Sequence, residues 1–132
     1  MTVTEYVEKW FEKAKSDLHC ARVMSNGEQP EWYIACFHCQ QAMEKALKAY
    51  LVFKDIEPPK IHNLSRLCRM CTEHDKSFAA IFEVCANMSL YLADVRYPDN
   101  ELCVGETEVK SALENAQAVF DFCRSKTGSG LG

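Results

Sequence analysis

The sequence predicts an all-α protein: an up-and-down bundle of four long helices and one short one. Three observations lead there. Apolar residues recur at three- and four-residue spacing through every long segment, which gives each a dry and a wet face. No run shows the strict alternation of a strand. Turn signals at Ser25-Asn26-Gly27, Pro58-Pro59 and Tyr97-Pro98-Asp99-Asn100 separate the periodic segments. There is no internal repeat, and 132 residues suit a single core that buries roughly two-thirds of the unfolded surface.

The first helix is carried by Tyr6, Val7, Trp10, Phe11, Ala14, Leu18 and Ala21. Thr2 and Glu5 have the spacing of a capping box at its start, and Gly27 supplies the left-handed conformation that ends helices. A second and longest helix is expected from about Glu31 to Lys54, with Cys36, Cys39, Met43, Ala46, Leu47, Tyr50 and Phe53 on its core side. Cys39, Ala42 and Ala46 make a shallow stripe that lets a neighbouring helix come close. Proline lacks the amide proton and restricts the residue before it, so a loop spans about Asp55 to His62. Asn63 or Ser65 then caps a short third helix, Leu64 to about Glu73, with Leu64, Leu67, Cys68 and Cys71 on one face. A fourth helix is expected from about Lys76 to Val95. The last runs from about Glu106, with Thr107 as a candidate cap, through Val109, Ala112, Leu113, Ala116, Val119 and Phe120 to Cys123. The bundle domain is placed at 1–126, and the Gly-rich end, 127–132, reads as a flexible tail.

Composition removes several classes. Nearly half of the residues are apolar, a quarter are charged, and there are only five glycines and four prolines, unlike disordered or collagenous chains. The start, Met1-Thr2-Val3-Thr4-Glu5, is neither basic nor apolar, and no stretch reaches the length of a bilayer span, so a cytoplasmic protein is expected. A net charge of −4 argues against sequence-independent binding to phosphate backbones, which needs a basic surface. A local patch remains able to bind a nucleotide.

Eight cysteines would make a disulfide scaffold in a secreted chain; without a secretion signal, free thiols are expected. Two Cys-x-x-Cys pairs, Cys36 with Cys39 and Cys68 with Cys71, have the spacing of zinc ligands. Each lies inside a patterned helix on its apolar face rather than on a turn, so both are read as buried core and no metal is expected.

Three polar constellations remain. His38, Gln41 and Lys45, with Lys48, form a stripe along the second helix that can hydrogen-bond a base or ribose while a lysine meets a phosphate. The plain alternative is a solvated face with a Glu44 to Lys48 ion pair. Lys60, His62, Arg66 and Arg69 make a small basic patch at the start of the third helix, where backbone amides favour anions, although His62 reads more readily as holding the loop. Arg96-Tyr97-Pro98-Asp99 sets a cation, a phenol and a carboxylate at a helix end. There Asp99 can clamp Arg96, or Arg96 can point into the groove beside the second helix.

The run Phe37-His38-Cys39-Gln40-Gln41-Ala42-Met43-Glu44-Lys45-Ala46-Leu47-Lys48-Ala49-Tyr50-Leu51, then Ile56-Glu57-Pro58-Pro59-Lys60 and His62-Asn63-Leu64, resembles the HEPN family (higher eukaryote and prokaryote nucleotide-binding domains). Cys39 and Met43 stand where that family tends to place alanine. Trp10, Ala14, Asp17-Leu18 and Ala21 look like its first helix, and Arg96-Tyr97-Pro98-Asp99 like the element that closes its fourth. The resemblance implies a helical bundle and a nucleotide-binding or substrate-binding module, with ligand contacts at His38, Gln41, Lys45, Lys48, His62, Arg96, Tyr97 and Asp99 and no cofactor. It also implies a minimal nucleotidyltransferase as partner, in a toxin–antitoxin-like pair, and a homodimer, for which Ile34, Phe37 and Val52 could supply a contact.

Many HEPN relatives are ribonucleases that use an Arg followed about four to six residues later by a His that transfers protons. After Arg96 come Tyr97, Pro98, Asp99, Asn100, Glu101 and Leu102, with no imidazole, so the non-catalytic type is expected. Arg69 and His74 have the spacing but lie at the end of the short third helix. The competing expectations are a metal-independent RNA endonuclease, in which His38 or His62 replaces the missing histidine, and a purely structural interaction domain.

Overall fold

The computed structural model describes residues 1–95 and 104–128, the side chains of residues 89–95 excepted. It is all-helical: α1 Val3–Met24, α2 Trp32–Phe53, α3 Leu64–His74, a 3-10 helix Lys76–Ile81, α4 Phe82–Val95 and α5 Glu106–Lys126. No strand occurs among the described residues. None of the described helices is long and apolar enough to cross a membrane.

Local chemistry sets the helix ends. Thr2 and Glu5 form the capping box at the start of α1, each side chain bonding the other's backbone amide. At the far end Ser25 Oγ and Asn26 Nδ2 both donate to the Arg22 carbonyl, and Gly27 turns the chain at φ 96°. α2 ends with Asp55 at φ 59°, a position usually given to glycine, while Ile56 N reaches back to Leu51 O at 2.9 Å. Asn63 caps α3 through Arg66 N at 3.0 Å. At α5 the cap is Gly105, not Thr107: its amide donates to Glu108 Oε1 at 3.1 Å.

The fourth segment differs from the expected single helix. Asp75 caps it by accepting from Ser77 N and Ser77 Oγ, and its first six residues wind as a 3-10 helix before α4 begins at Phe82. Phe78 and Ile81, three residues apart, are the buried pair of that tighter turn. α4 proper is thus 14 residues against 22, 22 and 21 for α1, α2 and α5.

α2 is the hub, lying against α1, α3, α4 and α5, with its most extensive pairing to α1. Small residues allow the closeness: Ala14 and Ala21 on α1, and Ala35, Cys39, Ala42, Ala46 and Ala49 on α2, are fully buried. Larger groups fill the rest, among them Tyr50, whose ring centroid is 4.4 Å from that of Phe78, and Phe11, edge-on to Phe120 at 5.5 Å. Phe53, expected on the core side of α2, sits at the helix end and is 39% exposed.

Candidate functional site: two polar clusters on one helix

α1 buries a carboxylate among its apolar residues. Asp17 is flanked on its face by Ala14, Leu18 and Ala21, and the packing of α1 on α2 leaves the residue 8% exposed. Both of its oxygens are engaged from α2. His38 Nδ1 lies 2.9 Å from Oδ1, and the Lys45 ammonium donates to Oδ2. The side chains of His38 and Lys45 remain 26% and 24% exposed. They thus form an open edge over a closed anion, held by charge-assisted hydrogen bonds. A carboxylate only accepts, so Nδ1 carries the proton and Nε2 is turned away from Asp17.

A second cluster lies further along α2. Glu44, 4% exposed, accepts from Lys48 Nζ at 3.0 Å and meets His62 Nδ1 at 3.1 and 3.2 Å. Gln40 Nε2 donates to the His62 carbonyl at 3.0 Å, and Gln41 Nε2 donates to Gln40 Oε1 at 2.9 Å. These bonds fasten the proline loop across α2, with Pro58 buried beneath it. Lys48 Nζ is 5.8 Å from the centroid of the Trp10 ring.

The expected site residues therefore divide. His38 and Lys45 meet at Asp17, while Gln41, on the same face of α2, is bonded to Gln40 of the second cluster. Lys48, placed with them on a helical wheel, is 5% exposed and turned into its pair with Glu44, because α1 and the loop close over that stretch of α2. The expected Glu44 to Lys48 ion pair is present but buried, not solvated. His62 holds the loop. Arg96, Tyr97 and Asp99 lie outside the described residues, as does the turn expected there. In the basic patch, Lys60 and Arg66 are exposed and Arg69 stacks over Phe82 at 5.2 Å. Of the apolar contact expected on α2, Ile34 and Phe37 are 39% and 44% exposed, whereas Val52, at 4%, belongs to the core. Sequence reading missed Asp17, Gln40 and the central part of Glu44. The available signal for Asp17 was a lone carboxylate at the helical spacing of the buried alanines.

The HEPN domain family matches residues 7–126 of the chain. The chain belongs to the HEPN family. Its fold is similar to the crystal structure of ST0689, an archaeal HEPN homologue, with a TM-score of 0.74 and 26% sequence identity over 92% of this chain and 97% of that one. No curated protein matches it. Both polar clusters of this HEPN domain fall inside the matched span.

Five of the buried thiols, Cys36, Cys39, Cys71, Cys85 and Cys123, are held in the unreactive protonated form. Burial pushes Cys36 up to about 11, with the charge of Glu108 adding to it, and Cys39 up to about 12. Burial likewise raises Cys71 and Cys123, while Cys85 is raised first by its hydrogen bond to Cys68, which lowers Cys68 in turn. Metal ligation needs thiolates, which such sites disfavour. Among the described residues no three His, Cys, Asp or Glu side chains are grouped to hold an ion.

Proposed function

We propose that this HEPN domain is a cytoplasmic, non-catalytic nucleotide-binding module of the type marked by Arg-Tyr-Pro-Asp at residues 96–99, working with a minimal nucleotidyltransferase in a toxin–antitoxin-like pair and dimerising with itself. The observation that supports it is the open edge of His38 and Lys45 over buried Asp17, with Gln41 between them on the same face of α2. Lys45 offers a cation already positioned by a buried carboxylate, so little rotamer freedom is left to lose when a phosphate arrives. Low local dielectric strengthens that contact relative to bulk water. Arg96 lies outside the described residues, and its part in this reading rests on the sequence alone.

The test is calorimetric titration of a nucleoside triphosphate into the wild type and a Lys45→Ala/Arg96→Ala variant. The variant should bind at least tenfold more weakly, about 1.4 kcal/mol, with helicity and melting temperature nearly unchanged. Equal affinity would remove the site. One observation favours the ribonuclease alternative: His38 is backed by Asp17, and its other ring nitrogen has no partner among the described residues and can take a proton. RNA cleavage by rigorously purified protein that vanishes in His38→Ala would replace the non-catalytic reading.

A further inference from the structure

We propose that the ligand is recognised as a ribonucleotide lying along α2, its base on Phe37, a ribose hydroxyl donating to His38 Nε2 and its phosphate at Lys45. The inference rests on the nucleotide-binding reading above and specifies which parts of the nucleotide are read.

The tautomer of His38 carries the first step. Asp17 fixes the proton on Nδ1, so in the neutral ring Nε2 presents a bare lone pair. No side chain among the described residues hydrogen-bonds that nitrogen, and the ring is 26% exposed. A lone pair cannot bond an ionised phosphate oxygen, which also only accepts; its partner must be an O–H or N–H group. In a nucleotide, the hydroxyls of ribose are the donors nearest the phosphate.

The neighbours of His38 supply the rest. Among the described residues Lys45 spends one of its three N–H donors on Asp17, which leaves two for an anion. Because both Asp17 oxygens are already engaged, an incoming phosphate meets a neutralised carboxylate rather than a bare charge. His38 and Lys45 hang on the two oxygens of one carboxylate, which sets acceptor and cation side by side along one edge of α2. On the other side, the Phe37 ring is 44% exposed and stands edge-on to the His38 ring with centroids 5.7 Å apart. An exposed aromatic face beside a sugar-reading group is what a stacked base requires, and stacking accepts any of the bases. Phe37, His38, Gln41 and Lys45 follow one another along α2, and the eight steps from Phe37 to Lys45 rise about 12 Å, a length on the scale of a nucleoside polyphosphate.

The experiment titrates the full chain with the four ribonucleoside triphosphates, their 2′-deoxy and 3′-deoxy counterparts, and inorganic tripolyphosphate. It compares wild type, Phe37→Ala and His38→Gln, with gel filtration of each. In the wild type, ribonucleotides should bind at least about tenfold more tightly than one of the two deoxy series, since a site built to bond a hydroxyl rejects the analogue lacking it. His38→Gln should narrow that gap. Phe37→Ala should weaken every nucleotide while leaving tripolyphosphate binding unchanged. If nucleotides bind through Lys45 yet both deoxy series equal the ribo series, this inference fails and the nucleotide-binding reading stands. If Phe37→Ala spares nucleotide affinity and converts a dimer to a monomer, Phe37 belongs to a contact between two copies and the inference fails. If neither nucleotide nor tripolyphosphate binds, both fall together.

Discussion

Asp17 and Glu44 each hold one histidine and one lysine, yet the two clusters are closed to different degrees. Around Asp17 the lysine and the histidine are each about a quarter exposed, at 24% and 26%. Around Glu44 the lysine side chain is 7% exposed and the histidine 78%, so the cation is sealed inside and the imidazole lies outside. A carboxylate, a histidine and a lysine thus serve two ends. Where both bases keep an open edge, the carboxylate positions groups that can still meet a ligand. Where the lysine is enclosed between α1, the loop and its own helix, the pair is spent on holding the fold.

The largest expected effect tests that closure. Glu44→Ala leaves the Lys48 ammonium buried without its partner, which typically costs about 3–5 kcal/mol. A Glu44→Gln/Lys48→Met double variant should cost much less, because no charge is then stranded. Chemical denaturation of both proteins measures the difference; a double variant as unstable as the single one would mean that Lys48 reaches water in the native state.

Asp17→Asn sharpens the contrast from the other side. Its partners lie at the edge and can rehydrate, so the expected loss of stability is only about 1 kcal/mol, already discounted for solvent screening. Ligand affinity should fall more than stability does, since His38 would lose its enforced tautomer and Lys45 its anchor. A denaturation midpoint displaced as far as that of Glu44→Ala would erase the distinction between the clusters.

Much of the fold was legible because helical spacing and stop signals agree along the chain. The capping box at Thr2, the stop at Gly27, the proline loop and the Asn63 cap are each decided by a few neighbouring residues. Cysteines placed on apolar helix faces were legible as core for the same reason, and Cys36, Cys39, Cys68 and Cys71 are fully buried. The 3-10 turn at Lys76–Ile81 was not, since two apolar residues three apart fit either helix type. In the site, spacing alone gave the stripe of His38, Gln41 and Lys45. It could not give Asp17, whose bonds cross 21 and 28 positions of sequence to another helix. Nor could a helical wheel show that the loop folds back through Gln40 and Glu44 and covers the stretch where Lys48 lies.

The smallest effect isolates what the comparison rests on, which is pairing and not burial alone. Tyr50 is 1% exposed, more deeply placed than Asp17 or Glu44, and among the described residues its hydroxyl has no hydrogen-bond partner. Burial, with the charge of Asp75 adding to it, pushes that hydroxyl up to about 12, so it stays protonated and contributes desolvation without return. Removing an unpaired buried polar group relieves that penalty, whereas the ring keeps its contact with Phe78. Tyr50→Phe should accordingly be neutral or stabilising by up to about 1 kcal/mol in thermal denaturation. A loss of more than about 1 kcal/mol would mean that the hydroxyl is satisfied in solution. In that case Tyr50 would join Asp17 and Glu44 as a third paired group of the bundle rather than standing as their unpaired control.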